Sequence, residues 1–361
     1  MPNIGISIYP ERSTFEQDKA YLDLAHKYGF KRIFTSLLQI KGDQEAVLKE
    51  FKKSVDYANS LGMEVMIDIA PNLFDQLGIS YHDLTFFHEL GAYGIRLDVG
   101  FSGREEAQMT RNPFGLKIEI NMSAGTNYLD QIMAYSPNTD NLIGSHNFYP
   151  MTYSGLDFDF FVYCSNQFRH HNIRTAAFVT SEAGKLGPWP VNDGLCSLEV
   201  HRHLPIASQV KHLILTGLID DILIGNAYAT EEELKAVSEA VKAAQPSVKV
   251  VLNERATEVE KKIVFDELHS YRGDRSGYML RSTMTRIKFA DEDFPPHDTH
   301  DIKRGDVLVM NNDYGHYNGE LQIALKEMKN SGRVNIVGQV AEEDMILLDF
   351  LKPWATFKLI K

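Results

Sequence analysis

Eight short apolar runs recur along the first two thirds of this chain, each separated from the next by room for one helix. That recurrence limits the possible folds more than any other feature. The runs occupy residues 4–9, 32–37, 64–70, 94–99, 116–122, 142–149, 174–180 and 220–225. Their starts lie 22 to 46 residues apart, and a βα unit takes about 30. Amphipathic segments such as 44–61 and 231–244 fill the gaps, with apolar residues three and four apart. Tyr28-Gly29 and Leu61-Gly62 put glycine where the residue after a helix takes a positive φ. Eight parallel strands alternating with helices close most economically into a TIM (β/α)8 barrel, assigned to residues 1–246. A doubly wound sheet is the alternative. No G-x-G-x-x-G follows the first run and no G-x-x-x-x-G-K-S/T occurs, so its two commonest nucleotide-binding versions lack support. The longest interval contains residues 181–194, with Gly184, Gly187, Gly194, Pro188, Pro190 and Trp189. This composition fits neither a helix nor a central strand. It predicts a loop after strand seven, on the C-terminal face where barrel active sites sit.

Past Gln245-Pro246-Ser247 the texture changes. Short, often β-branched runs at 248–252, 281–289, 306–310, 320–325, 334–340 and 356–360 alternate with turn signals such as Arg272-Gly273-Asp274 and Asn330-Ser331-Gly332. They predict a small, mostly antiparallel β-domain over residues 247–361. No long linker separates it from the barrel, so the two are expected to pack together.

Composition removes several function classes. The net charge is −12, which disfavours nucleic acid or an anionic membrane as partner, since both need a basic face. No stretch reaches the ~20 apolar residues of a membrane span. The start, Met1 to Ser7, lacks a basic region followed by an apolar run, so no signal peptide is expected. Cys164 and Cys196 show no C-x-x-C spacing. Two free thiols in a reducing cytoplasm are expected, with neither a zinc knuckle nor a redox pair.

Barrel strands are buried on both faces, so ionisable residues within them need a reason. Asp68, Asp98, Glu119, Asn121, His146, Asn147 and Tyr149 all lie in the second halves of their predicted strands, whose ends form one mouth. Each alone also suits a satisfied core polar group, with Asp68 or Asp98 paired to Arg96. His146 alone is more often a core histidine than a ligand. Carboxylates at half-buried strand ends shift their pKa readily, which favours Asp68 and Asp98 as catalytic groups. Two carboxylates across a mouth suit glycoside hydrolysis, and Tyr9, Tyr149 and Trp189 supply faces for sugars to stack on. A metal held by Asp68, Glu119 and His146 competes, but no H-x-x-x-H or D-x-D run supports it.

Longer stretches carry a resemblance. Gly5-Ile6-Ser7-Ile8-Tyr9-Pro10, Arg96-Leu97-Asp98, His146-Asn147-Phe148-Tyr149-Pro150, the segment Asp193 to Arg202, Arg281-Ser282, Asn312 to Ile323 and Arg333 to Gly338 resemble the DUF871 family. That family includes the 6-phospho-N-acetylmuramidases, and the similarity spans essentially the whole chain. It implies a TIM barrel followed by a cyclophilin-like β-barrel. It also implies a cytoplasmic glycosidase that splits N-acetylmuramic acid 6-phosphate–N-acetylglucosamine in peptidoglycan recycling, with Asp68, Asp98, Asn121, His146, Tyr149 and Glu199 lining the site. Cys196-Ser197 stands where Pro-Thr is usual, His316 where Arg is common, and Asn226 where Asp is frequent.

The expected function is therefore hydrolysis of a small phosphorylated amino-sugar substrate, with no metal or organic cofactor required. Asp68, Asp98 and Glu199 are the catalytic candidates. Tyr9, Asn121, His146, Asn147, Tyr149, Trp189, Arg202 and Arg281 are the substrate-binding candidates, and Arg202, Arg281, Arg286 and Lys185 are possible phosphate donors. The rivals are a sugar-phosphate isomerase or aldolase, which wants a Lys or His at a strand end, and a non-catalytic sugar-phosphate binding protein.

Overall fold

A computed structural model describes residues 1–37, 44–69, 74 and 79–361. Contacts divide the chain into two compact units, Met1–Lys242 and Ala243–Lys361.

The first unit is a closed barrel of eight parallel strands in sequence order: β1 (Asn3–Ile8), β2 (Arg32–Ser36), β3 (Glu64–Ile69), β4 (Gly94–Leu97), β5 (Lys117–Asn121), β6 (Leu142–Ser145), β7 (Arg174–Val179) and β8 (Asp221–Ile224). Closure comes from β8 pairing with β1, Ile4 opposite Ile222. The helices begin and end where local chemistry requires. The first, α1 (Phe15–Lys27), starts at Thr14, whose hydroxyl accepts from the Gln17 N–H while the Gln17 side chain accepts from the Thr14 N–H. Gly29 and Gly62 take φ of 87° and 72° just past the helices they follow, as the sequence predicts. Inside the barrel, Phe34, Phe148 and Phe178 pack edge to face with centroids 5.0 to 5.8 Å apart.

Several strands are shorter than the apolar runs suggest. β4 ends at Leu97 and β6 at Ser145, so Asp98, His146, Asn147 and Tyr149 lie just beyond their strands rather than within them. The reason is visible after β6: the Tyr149 N–H leaves the barrel ladder and donates to the Cys196 carbonyl. The segment after the 181–194 loop supplies that partner, and the loop itself contains neither helix nor strand.

The second unit is a nearly closed seven-stranded mixed sheet. Its strands are β9 (Ser247–Leu252), β10 (His269–Ser270), β11 (Met279–Ser282), β12 (Asp306–Met310), β13 (Leu321–Ala324), β14 (Val334–Val340) and β15 (Thr356–Ile360), in spatial order β10-β15-β9-β14-β12-β13-β11. All pairings are antiparallel except β15 with β9. The end strands approach each other through the Arg272 N–H to the Arg281 carbonyl, 2.9 Å. The run 281–289 is not one strand. It splits into β11 and a short helix, Thr285–Lys288, whose Thr285 hydroxyl bonds back to the Ser282 carbonyl at 3.2 Å.

Candidate active site

Parallel register sets up the charges of the barrel interior. Ser36 of β2 lies opposite Asp68 of β3, Asp68 opposite Arg96 of β4, and Arg96 opposite Glu119 of β5. Four neighbouring strands thus place one row of polar groups at one height. Arg96 is the hub. Its Nη1 is 2.6 Å from Asp68 Oδ1 and 3.4 Å from Asp98 Oδ1, its Nη2 donates to the Asn147 side-chain oxygen, and its Nε is 3.8 Å from Glu119 Oε1. Arg96 and Asp98 are two apart in I-R-L-D and so share a face.

A second guanidinium lies deeper. Arg32 bonds Glu119 Oε2 at 2.7 Å and also pairs with Asp221. Strands β2 and β5 are not neighbours, so the Arg32–Glu119 contact crosses the interior. Glu119 is therefore held by arginines and is not free to ligate a metal.

The two aspartates differ in environment. The Asp68 side chain is only 7% exposed, whereas that of Asp98 is 44% exposed. Burial pushes the Asp68 carboxyl up to about 6, against the opposing pull of Arg96, with the Asp98 charge adding to the rise. One carboxyl is thus buried and holds its proton late, while its neighbour faces solvent.

A cleft of about 800 Å³ opens at the end of β2, and neither Asp68 nor Asp98 is among its lining residues. Tyr9, Pro10, Arg12, Ser36, Glu50, Phe51 and Trp189 are among its lining residues. Ser36 connects it to the Asp68 row through the register. Tyr9 donates its hydroxyl to the Gly225 carbonyl at 2.5 Å, and its own pKa is raised, chiefly by burial. Trp189 is partly exposed and its carbonyl accepts from Arg12 Nη1 at 2.7 Å. Sequence reasoning missed Arg12 and Ser36. It offered Arg96 as a core partner of Asp68 or Asp98, and the structure shows it bonded to both.

Other predicted site residues have structural partners. Glu199 accepts from Arg202 Nε and Nη2 at 2.7 and 2.6 Å, and from the N–H groups of Tyr153 and Gly155 at 2.9 and 2.7 Å. All four lone-pair sites are filled. Chiefly the Arg202 bonds hold this carboxyl at about 2. A side chain at residue 155 would place its Cβ 2.7 Å from the Glu199 N–H nitrogen, so Gly155 permits the approach. Arg202 Nη1 spends its donors on the carbonyls of Tyr149 and Gly194, at 3.0 and 3.1 Å. The pair ties loops together rather than presenting an acid and a phosphate donor.

His146 is fully buried. Its ring nitrogens contact the Ser123 and Ser165 hydroxyls at 3.1 and 2.9 Å, and the ring stacks on Phe161. Burial lowers its pKa to about 3, so it is a neutral core histidine, and the isomerase reading loses its base. Lys117 is bonded to the Asp140 carbonyl and the Asn141 side chain at the start of its strand. Asn121 accepts from the Ser123 N–H at 2.8 Å. Tyr149 is half-buried close to Arg96 and Asp98. Asn226 donates through Nδ2 to the carbonyls of Ser181 and Gly184, both at 2.7 Å. An aspartate there could not donate, so the amide has a structural use. Both cysteines are free and buried, and burial pushes the Cys196 thiol up to about 11, which makes it inert at neutral pH. Arg281 lies in the second unit, paired to Glu320.

Sequence comparison now bears on this geometry. Residues 4–239 match the N-terminal domain model of 6-phospho-N-acetylmuramidase, and residues 246–360 match the C-terminal one. The chain belongs to the 6-phospho-N-acetylmuramidase family. A crystal structure of an uncharacterized B. cereus protein is 49% identical, with 100% of this chain and 99% of that one covered and a TM-score of 0.91. A conserved Enterococcus faecalis protein of unknown function shares the fold at 24% identity, with 99% and 96% covered and a TM-score of 0.76. No curated protein matches significantly. Among the described residues, no helix is long and apolar enough to cross a membrane.

Proposed function

We propose that this chain is a cytoplasmic glycoside hydrolase cleaving N-acetylmuramic acid 6-phosphate–N-acetylglucosamine in peptidoglycan recycling. Membership of the 6-phospho-N-acetylmuramidase family supports the reaction class. The observation that carries the mechanism is the Asp68–Arg96–Asp98 arrangement. Asp68, buried and late to ionise, donates a proton to the leaving glycosidic oxygen. Asp98, facing solvent beside a guanidinium, attacks the anomeric carbon. Water then releases the sugar, with Asp68 taking its proton back. Arg96 fixes both carboxyls and withdraws negative charge from the row. Asn147 and Tyr149 flank the pair for hydroxyl or acetamido contacts. Trp189 gives the cleft exposed aromatic surface for the second sugar ring, whereas Tyr9 is buried in the wall.

The test offers the purified protein the 6-phosphorylated disaccharide, its unphosphorylated form and chromogenic glycosides, with products followed by mass spectrometry. Preferential cleavage of the phosphorylated disaccharide is expected. Equal cleavage with and without phosphate rejects the substrate assignment. Binding without turnover rejects hydrolysis in favour of a sugar-phosphate binding protein.

A further inference from the structure

We infer that the C-terminal unit carries an oxyanion-binding site of its own, built from Arg281, Arg286 and Tyr317 over the buried carboxylate of Glu320, and suited to phosphate or a phosphomonoester. Glu320 is fully buried. Arg281 grips it with Nε and Nη2 at 2.7 and 3.2 Å. Arg286 approaches the same carboxylate, its Nη1 3.5 Å from Oε2, but that buried nitrogen completes no hydrogen bond. Two guanidiniums thus share one carboxylate. Asp274, the other acid that acts on Arg281, is itself bonded to Arg272. One positive charge is left without a counter-charge, on side chains only 22% and 19% exposed.

A partly desolvated cation without a partner is costly, and an arriving anion relieves that cost. The unused donors suit a tetrahedral oxyanion. Among the described residues, Arg281 Nη1 and Arg286 Nε and Nη2 have no hydrogen-bond acceptor, and planar forks bind phosphate oxygens in pairs. The Tyr317 ring holds the forks in place, its centroid 5.1 Å from the Arg286 guanidinium carbon and 6.0 Å from that of Arg281. The ring is itself partly exposed, which offers an apolar face beside the anion, as a sugar phosphate would use. Local folding assembles the group. The β11–β13 ladder sets Arg281 opposite Gln322, whose side chain also donates to Glu320 at 2.8 Å. The short helix after β11 brings in Arg286.

The test measures binding, not hydrolysis, so its failure leaves the glycosidase reading standing. Inorganic phosphate, a hexosamine 6-phosphate and the unphosphorylated hexosamine are titrated calorimetrically into the full chain at matched ionic strength. The two phosphates are expected to saturate and compete, whichever binds tighter, and the plain sugar to give no heat. R286Q is expected to weaken phosphate binding about tenfold or more, the worth of a charge-assisted hydrogen bond. R255Q, which changes an exposed arginine elsewhere in the same unit, is expected to leave it unchanged. If R286Q does not fold, R286K keeps the charge without the fork and is expected to lose affinity severalfold. The proposal is overturned by phosphate affinity unaltered in the Arg286 variants, by equal loss in R255Q, or by no saturable binding to the parent.

Discussion

Arg96 Nη1 lies 2.6 Å from Asp68 Oδ1, and Asp68 nevertheless keeps its proton up to about pH 6. A guanidinium this close would ordinarily hold a carboxyl below its usual range. Burial outweighs it, because Arg96 divides its charge among Asp68, Asp98 and Glu119 while Asp68 loses its water outright. In the proposed mechanism this raised carboxyl is the proton source, beside a cation that positions it.

The pH profile of kcat is expected to fall above an apparent pKa of about 6, since the raised carboxyl must be protonated to act as acid. D68N and D98N are each expected to lower kcat by a factor of ~1000 or more, with circular dichroism unchanged. Rates within tenfold of the parent in either variant would remove that residue from the reaction.

The product is expected to retain its anomeric configuration. Both Oδ1 atoms reach the same nitrogen, at 2.6 and 3.4 Å, so those two oxygens are at most about 6 Å apart, close to the separation used for covalent capture and short for an intervening water. Proton NMR of the first-formed sugar checks this, and inversion would mean that a different pair of groups does the chemistry.

Glu199 variants should separate structure from catalysis. E199Q is expected to lower stability by roughly 1–3 kcal/mol, since it weakens a largely buried ion pair and its backbone bonds. Its kcat is expected to stay within severalfold of the parent. The sign of the pH effect follows from the depressed carboxyl, which sits at about 2 against 4.5 ordinarily. That stability is present above about 4.5 and is lost as pH falls toward 2. A kcat loss matching that of D68N would return Glu199 to the catalytic set.

Acid is expected to weaken the fold well before the carboxylates titrate. Burial lowers His146 to about 3 and His212 to about 4, and holds His201 well below its ordinary value. Below pH 6.5 the unfolded chain takes up protons that these three native rings refuse, so stability falls with pH. Asp68 acts in the opposite direction between about 4 and 6, as do the raised Asp18 and Asp306 carboxyls, but His269 is lowered by burial as well and the histidines start to act from 6.5. Each net proton is worth ~1.4 kcal/mol per pH unit. Urea midpoints measured from neutral to mildly acidic pH should decline, and a flat series would show that these rings titrate normally.

Arg12 is expected to act through Trp189. Its Nη1 binds the carbonyls of Gly187 and Trp189 at 2.5 and 2.7 Å, which fixes the loop that lines the cleft. R12A should raise KM severalfold while changing kcat little, as expected when substrate positioning alone is lost. In a W354F background, the Trp189 emission should become more accessible to acrylamide. Unchanged quenching would show that the loop holds its own conformation.

Much of this protein was decided by its sequence. The spacing of the eight apolar runs dictated the barrel, because a parallel strand needs a helix to return the chain and a period near 30 residues leaves room for little else. The β-branched runs after residue 247 gave the second sheet, and the longer motifs gave the family. Asp68 was legible because charge inside a buried strand is costly enough to require a partner, and Asp98 because it alternates with Arg96 in I-R-L-D. Which partners the other polar residues take was decided only in three dimensions. The sequence text of Glu199, His146 and Arg202 is as polar as that of Asp98. Their roles depend on which groups fill their hydrogen bonds, and those partners come from segments distant in the chain: Gly155 and Tyr153 for Glu199, Ser123 and Ser165 for His146. A pKa is likewise a property of surroundings. The Asp68 carboxyl is pushed up even though Arg96 pairs with it, because closing the cylinder strips its water while three carboxylates draw on one guanidinium, a balance that no local pattern of residues contains.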